Sequence, residues 1–330
     1  MKAILMPEAG LCSVLTPAEI DQPAISSSTA IKVKLHAAGV NPIDTKLRGR
    51  GIFYEDGLPA VLGCDGAGEV IEIGNEVDRF KLGDKVWFCH GGLGGDQGNY
   101  AEYQVVEQDI ARKMPDSIDY TSAAAAPLVL ITAWEALFDR ARLQSGQTIL
   151  IHAGAGGVGH VAIQLAKIHG ARVLTTVSSD EKAKFVKSLG ADETINYKTE
   201  NLVDRVNELT NNQGADVVFD TVGPEVFKQS IPCTAHYGDI VTILDPGTVD
   251  FKEARNRNIR FSFTLMLTPM LRDLPKARAH QGEILDQCTQ WIDQGKLDIK
   301  VGQQLPLEQA AQAHELIESG HTTGKIVLTM

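Results

Sequence analysis

The 330-residue chain is short of several features, and each shortage excludes a class of protein. It has only five cysteines, at 12, 64, 89, 233 and 288, with no Cys-x-x-Cys pair and an odd total. That pattern writes neither a disulfide framework nor a cysteine-rich zinc knuckle, and it suits a reducing compartment. No apolar run approaches the roughly 20 residues that a bilayer-crossing helix needs. Met1 to Gly10 is too short and proline-interrupted for a secretory signal, so a cytoplasmic protein without a membrane partner is expected. Positive charge is in deficit, with 31 Lys and Arg against 42 Asp and Glu for a net charge of −11. A broad basic face for phosphodiester backbones is therefore absent, and nucleic acid is not an expected partner. No internal repeat or low-complexity tract is present, which sets solenoid architectures aside.

What remains is ordinary globular composition, 43% hydrophobic and 22% charged, in a chain longer than one core usually grows. Two domains are expected. In the first third, Ile31 to Leu35, Gly66 to Ile73, Lys85 to Cys89 and Tyr100 to Val106 read as short strands among turns, which makes a mostly β domain. From Ala123 the pattern turns helical through Arg142. Four apolar strands then alternate with helices: Thr148 to Ala153, Arg172 to Val177, Ala215 to Asp220 and Asp239 to Leu244. That alternation predicts a parallel sheet. Ile259, Phe261, Phe263, Leu265 and Leu267 place apolar residues at every second position, as a half-buried strand does, capping the sheet edge or pairing with a second subunit. The tail carries an amphipathic helix over Leu307 to Gly320 and a closing strand over Lys325 to Thr329, both expected to fold back onto the first domain.

The most specific motif is Gly154-x-Gly156-x-x-Gly159, directly after one predicted strand and directly before the helical stretch Val161 to His169. The first glycine permits a tight turn, the second lets the backbone approach a pyrophosphate, and the third allows close packing of the helix, whose N-terminus supplies partial positive charge. An NAD site normally carries an acid about 20 positions further on, at the end of the second strand. Here that strand ends in Val177, Ser178 and Ser179, and Lys182 lies one helical turn onward. Neutral serines do not repel a 2′-phosphate and an ammonium can pair with it, which favours NADPH over NADH. Asp180 points the other way, unless it serves the helix start, where acidic residues are favoured.

With Ala153 to Gly159 reading Ala-Gly-Ala-Gly-Gly-Val-Gly, followed by Ala162 and Gln164, the chain resembles the medium-chain dehydrogenase/reductase superfamily, in its zinc-independent quinone oxidoreductase and zeta-crystallin branch. The resemblance runs through Gly39-Val40-Asn41-Pro42-Ile43-Asp44-Thr45, Gly98 to Tyr103, Gly190-Ala191-Asp192 with Ile195-Asn196-Tyr197, Phe219 to Gly223, and Gly324 to Leu328. It implies an α/β fold: a GroES-like, mostly β catalytic domain over residues 1–122 and 266–330, and a Rossmann doubly wound parallel sheet over 123–265, with the site in the cleft between them. It also implies a homodimer through Ile259 to Leu267.

In zinc-bearing relatives the first metal ligand is a cysteine at the position Asn41 holds here, and the second a histidine where Cys64 stands. Catalytic zinc needs about three protein donors, and only Cys64 with Asp65 clusters, so no metal is expected and Cys64 reads as a small packed hydrophobe. The resemblance places Asn41, Thr45 and Thr132 beside the nicotinamide and Tyr197 near the adenosine end. Gly157, Val158, Thr221, Val222 and Leu244 are further cofactor contacts on the same basis. Amide and hydroxyl groups can donate to a quinone or enone oxygen as negative charge develops on it. The same Asn41 before Pro42 also reads as a turn residue, and Thr132 as a helix residue bonded to its own backbone. Asp44, beside that turn, is expected to cap backbone amides, and His90 to be satisfied by water or backbone. Phe53 and Tyr54 offer an aromatic wall for a flat small-molecule substrate. The expected activity is NADPH-dependent quinone reduction. An enoyl-thioester or alkenal reductase uses the same chemistry, and a crystallin-like or RNA-binding protein that merely holds NADPH is the alternative outside enzymes.

Overall fold

The computed structural model describes all residues from Met1 to Met330 and divides them into two compact units. One comprises Met1–Leu128, Pro269–Gly295 and Ile299–Met330; the other comprises Val129–Thr268 with Lys296–Asp298. The expected boundaries fall after residues 122 and 265.

The first unit is built on a seven-stranded sheet whose order is Val301–Pro306, Lys325–Thr329, Ala30–Val40, Asp65–Ile73, Lys85–Cys89 and Arg112–Lys113, with Tyr103–Glu107 paired to Ala30–Val40. In its long central strand Ile31, Val33 and Leu35 fall at every second position, between Lys32, Lys34 and His36, and pack with Val70, Val86, Phe88 and Val106 into one core. Each such side chain contributes roughly 1.5 to 3 kcal/mol on leaving water. The closing strand runs antiparallel to Ala30–Val40, pairing Ile326 with Val40. That register brings Lys325 beside Asn41, the N-cap of the helix Pro42–Arg50. A smaller three-stranded sheet joins Thr16–Glu19, Lys2–Met6 and Ala60–Val61.

The second unit is a parallel sheet of six strands in the order Glu193–Asn196, Arg172–Val177, Thr148–Ile151, Ala215–Asp220, Thr234–Thr242 and Arg260–Phe263. The order reverses at Thr148–Ile151, and in a doubly wound sheet the crevice outside the strand ends at that reversal is where ligands bind. The glycine motif lies there, between that strand and the helix Gly157–Ile168.

Two expectations need correction. The helix expected from Ala123 to Arg142 is three pieces, Tyr120–Ala124, Pro127–Trp134 and a π-helical turn Glu135–Arg140. Pro127 lacks an N–H and pushes the residue before it out of helical geometry, which makes the first break. The strand expected over Ile259 to Leu267 is only Arg260–Phe263. Leu265 is 52% exposed while Met266 and Leu267 are both buried, and Thr268 N donates to Leu265 O at 2.9 Å, so the chain leaves the two-residue period in a turn.

Candidate active site

The dinucleotide cradle is shaped by contacts that leave no room for side chains. A Cβ on Gly154 would lie 2.1 Å from Thr175 Oγ1, and one on Gly159 only 2.4 Å from Ala153 O. Gly156 meets nothing nearer than Ala153 O at 3.2 Å, so its surface faces open space. Ala153 itself takes φ 50°, a left-handed turn that costs an alanine about 1 kcal/mol. Two bonds hold it there: Ala153 N to Thr176 Oγ1 at 2.9 Å, and Gly154 N to Thr176 O at 3.1 Å. Gly156 is the N-cap of the 12-residue helix and supplies no side-chain acceptor. The first-turn N–H groups, including those of Gly157 and Val158, are thus left for an external anion, and the helix dipole favours one.

The other expected cofactor contacts surround this turn at neighbouring strand ends. Tyr197 is 56% and Val222 47% exposed, leaving apolar surface open at these strand ends. Thr221 donates to His152 O at 2.9 Å, and Asp220 accepts from the N–H groups of Val222 and Gly223, fixing that loop. Leu244 is half-buried, its carbonyl accepting from Thr242 Oγ1. Ser179 caps the helix Asp180–Ser188 by accepting from Lys182 N at 3.3 Å, while Ser178 and Lys182 are half-exposed and Asp180 lies in the first helical turn. An anion cradle, exposed apolar walls and a cation one turn beyond the second strand fit a phosphorylated dinucleotide.

The polar residues expected at the nicotinamide form a buried network instead of an open row of donors. Asn41 has no exposed surface. Its Nδ2 donates to Asp65 Oδ2 at 2.9 Å, and its Oδ1 accepts from Lys325 Nζ. This corrects the reading of Asn41 as a donor presented to substrate. Asp65 uses its second oxygen to accept from Leu128 N at 2.8 Å, the start of the helix that carries Thr132. Asp44 caps backbone as expected, accepting from Asn41 N at 2.8 Å, and also accepts from Tyr100 Oη at 3.0 Å. His314 Nε2 lies 3.3 Å behind Tyr100 Oη. Thr45, 7% exposed, donates to Pro42 O at 3.1 Å, and Thr132 is 5% exposed. Phe53 and Tyr54 are exposed, and the Tyr54 ring lies where a Cβ on Gly95 would meet it at 3.1 Å.

Burial dominates the electrostatics of this network. It pushes the Asp44 carboxyl up to about 7 and Asp65 up to about 6, the latter restrained by Lys325 and by the N–H groups of Asn41 and Leu128. Burial also lowers Lys325. Its Nζ donates to Val40 O at 3.0 Å and to Asn41 Oδ1, and Asp65 Oδ2 stands 4.0 Å away as its ion-pair partner. Sequence reading missed Lys325 as part of the site. It was seen only as the start of a closing strand, and the available signal was a lysine opening a run of wholly apolar residues. His90 pairs with Asp96 across 3.5 Å, and burial lowers it to about 4.

A doubly wound parallel sheet with an uncapped glycine turn at its reversal, joined in one chain to a GroES-like sheet, defines a dinucleotide-dependent oxidoreductase class. Comparison with known proteins narrows it. The alcohol dehydrogenase GroES-like domain model matches residues 27–116, and the zinc-binding dehydrogenase model matches residues 189–328. A quinone oxidoreductase from Pseudomonas aeruginosa is 37% identical over 308 residues, 93% of each chain. The solved structure of an alcohol dehydrogenase superfamily protein from Novosphingobium aromaticivorans has a TM-score of 0.93 at 33% identity, covering 100% of this chain and 99% of that one. The Escherichia coli quinone oxidoreductase complexed with NADPH has a TM-score of 0.89 at 30% identity, covering all of both chains. The chain belongs to the quinone oxidoreductase branch of the medium-chain dehydrogenase/reductase superfamily.

The name of one family model raises the question of zinc, and the residues do not fit it. No group of three or more His, Cys, Asp or Glu side chains is placed to hold a metal. Cys64 is fully buried, and a hydrogen bond with Cys89, together with burial, raises its thiol well above the usual range. Asn41 is already bonded to an ammonium, which would repel a dication.

Proposed function

We propose that the chain is an NADPH-dependent quinone oxidoreductase that transfers a hydride to a quinone or related α,β-unsaturated carbonyl without zinc. The observation that carries this reading is the open helix N-terminus at Gly156 to Gly159, at the sheet reversal, in a chain alike over 93% or more of its length to quinone oxidoreductases. NADPH, when bound, supplies the hydride from nicotinamide C4. The cradle residues Gly154, Gly156, Gly157, Val158 and Gly159 hold the pyrophosphate, and Ser178, Ser179 and Lys182 receive the 2′-phosphate. Tyr197, Thr221, Val222 and Leu244 cover the rest of the dinucleotide. Thr45 and Thr132 are assigned to the nicotinamide and the acceptor oxygen, with Asn41 supporting that side, and Phe53 and Tyr54 are assigned to a flat acceptor.

The pairing of two copies across the open edge of Arg260–Phe263, where Phe263 is 59% exposed, is proposed as the homodimer contact. Light scattering tests it. A cytoplasmic location is proposed from the five buried, unbridged cysteines. No helix is long and apolar enough to cross a membrane. The activity is tested by following NADPH consumption with quinones, enals and enoyl thioesters in parallel. Quinone turnover above the other classes is expected, and none with any quinone overturns the proposal.

A further inference from the structure

The side chain of Lys325 is 3% exposed, and its ammonium is held by two hydrogen bonds, to Val40 O and Asn41 Oδ1, and an ion pair with Asp65. Burying a lysine charge is costly unless it is paired and hydrogen-bonded, and the partners of Lys325 show what the charge acts on. Lys325 binds the oxygen of the Asn41 amide, which sets the amide's orientation and turns Nδ2 toward Asp65. Asp65 in turn has one oxygen on Asn41 and the other on Leu128 N, the entry to the helix bearing Thr132. The other ionisable groups facing this cluster are Asp44 and, from the adjoining strands, Cys64 and Cys89, with Tyr100 and His314 behind Asp44. Lys325 is the one cation among them in direct contact.

We propose that Lys325 is a positioning residue for hydride transfer: its ammonium neutralises Asp65 and orients the Asn41 amide, so that Asp65 anchors both Asn41 and the first turn of the helix carrying Thr132. It supplies from the chain itself the fixed positive charge that a metal gives the zinc-bearing relatives, bonded to the residue standing at their cysteine-ligand position. This rests on the quinone-reductase reading given above.

The test compares Lys325→Arg, Lys325→Met and the uncharged pair Lys325→Met with Asp65→Asn. It uses single-turnover NADPH oxidation by a quinone, NADPH affinity, thermal midpoint, and amide hydrogen exchange across residues 127–134 in the NADPH-free protein. Lys325→Met should slow hydride transfer about tenfold or more, the scale set by small displacements of reacting groups. NADPH affinity should stay within about twofold, and exchange at Leu128 should quicken. Lys325→Arg should recover most of the rate because it keeps the charge. The uncharged pair should recover the thermal midpoint but not the rate, since an asparagine at 65 cannot accept from both Asn41 and Leu128 N–H groups. If Lys325→Met fails to fold, the uncharged pair decides alone. A hydride-transfer rate in Lys325→Met or in the uncharged pair within twofold of wild type overturns the proposal. Absence of quinone turnover in the wild type is a separate outcome that refutes the activity instead.

Discussion

Ser179 Oγ accepts a hydrogen bond from the backbone N–H of Lys182 at 3.3 Å, so one short turn both caps the helix Asp180–Ser188 and fixes the backbone that carries the Lys182 ammonium. The cap stabilises the helix by about 1 kcal/mol, and it places a cation one turn beyond the end of the second strand. Lys182→Ala should therefore weaken NADPH binding by about 1.5 to 3 kcal/mol while changing NADH binding little, because only the former carries the phosphate. Calorimetric titration of both dinucleotides checks this, and equal losses for the two would contradict it.

Glycines of the cradle should separate by substitution. Gly159→Ala places a Cβ 2.4 Å from Ala153 O, a backbone contact that forces a shift, and should cost about 1 to 3 kcal/mol of stability. Gly156→Ala meets only one atom, at 3.2 Å, so its thermal midpoint should stay near wild type while NADPH affinity falls, since its Cβ stands where the backbone approaches the pyrophosphate. Scanning calorimetry with dinucleotide titration measures both, and a Gly156→Ala variant that binds NADPH normally refutes the placement.

His152 makes a pH prediction. Burial lowers it to about 4, against about 6.5 in an unfolded chain, so the folded state binds the proton more weakly. The stability it contributes is complete above pH about 6.5 and is lost as pH falls toward 4, to the extent of about 3 kcal/mol at 1.4 kcal/mol per unit. Its Nε2 sits 3.0 Å from Ser230 Oγ, a pairing that an amide can reproduce, so His152→Gln should flatten the fall in thermal midpoint between pH 6.5 and 4.5. An unchanged slope would assign the acid sensitivity elsewhere, His90 and His314 also being lowered by burial.

Metal removal should have no effect. Exhaustive chelation is expected to leave turnover and thermal midpoint unchanged, because Asn41, Cys64 and Asp65 are occupied by Lys325, Cys89 and Leu128. Elemental analysis finding one zinc per active chain would contradict this.

The Rossmann half was legible because its signals are local. Arg172–Val177 and Ala215–Asp220 begin and end at the residues expected from apolar runs bounded by turns, and the glycine motif carries its own geometry. Ile259 to Leu267 misled because alternation in sequence does not report where a sheet ends, and Leu265 to Thr268 closes in a turn in which Thr268 N donates to Leu265 O. The nicotinamide side was legible in residue type but not in state. Asn41 was found through its neighbours in sequence, whereas its burial depends on Lys325, 284 positions away, and on a strand register that no local pattern specifies. Thr45 was likewise found by position, with its bond to Pro42 O visible only once the helix had formed.

The central claim is hydride transfer from NADPH to an electron-poor carbonyl, and stopped-flow oxidation of NADPH by a quinone measures it most directly. A quinone already has a low-lying acceptor, so orienting hydroxyls suffice, whereas oxidation of a simple alcohol needs removal of a proton that zinc-bearing relatives achieve by polarisation. The wild type is expected to reduce the quinone rapidly and to oxidise ethanol poorly. Asn41→Ala with Thr132→Ala is expected to lower the rate by about 10² or more with NADPH affinity nearly intact. Rapid ethanol oxidation, or a double variant whose hydride transfer is unchanged, would contradict the account.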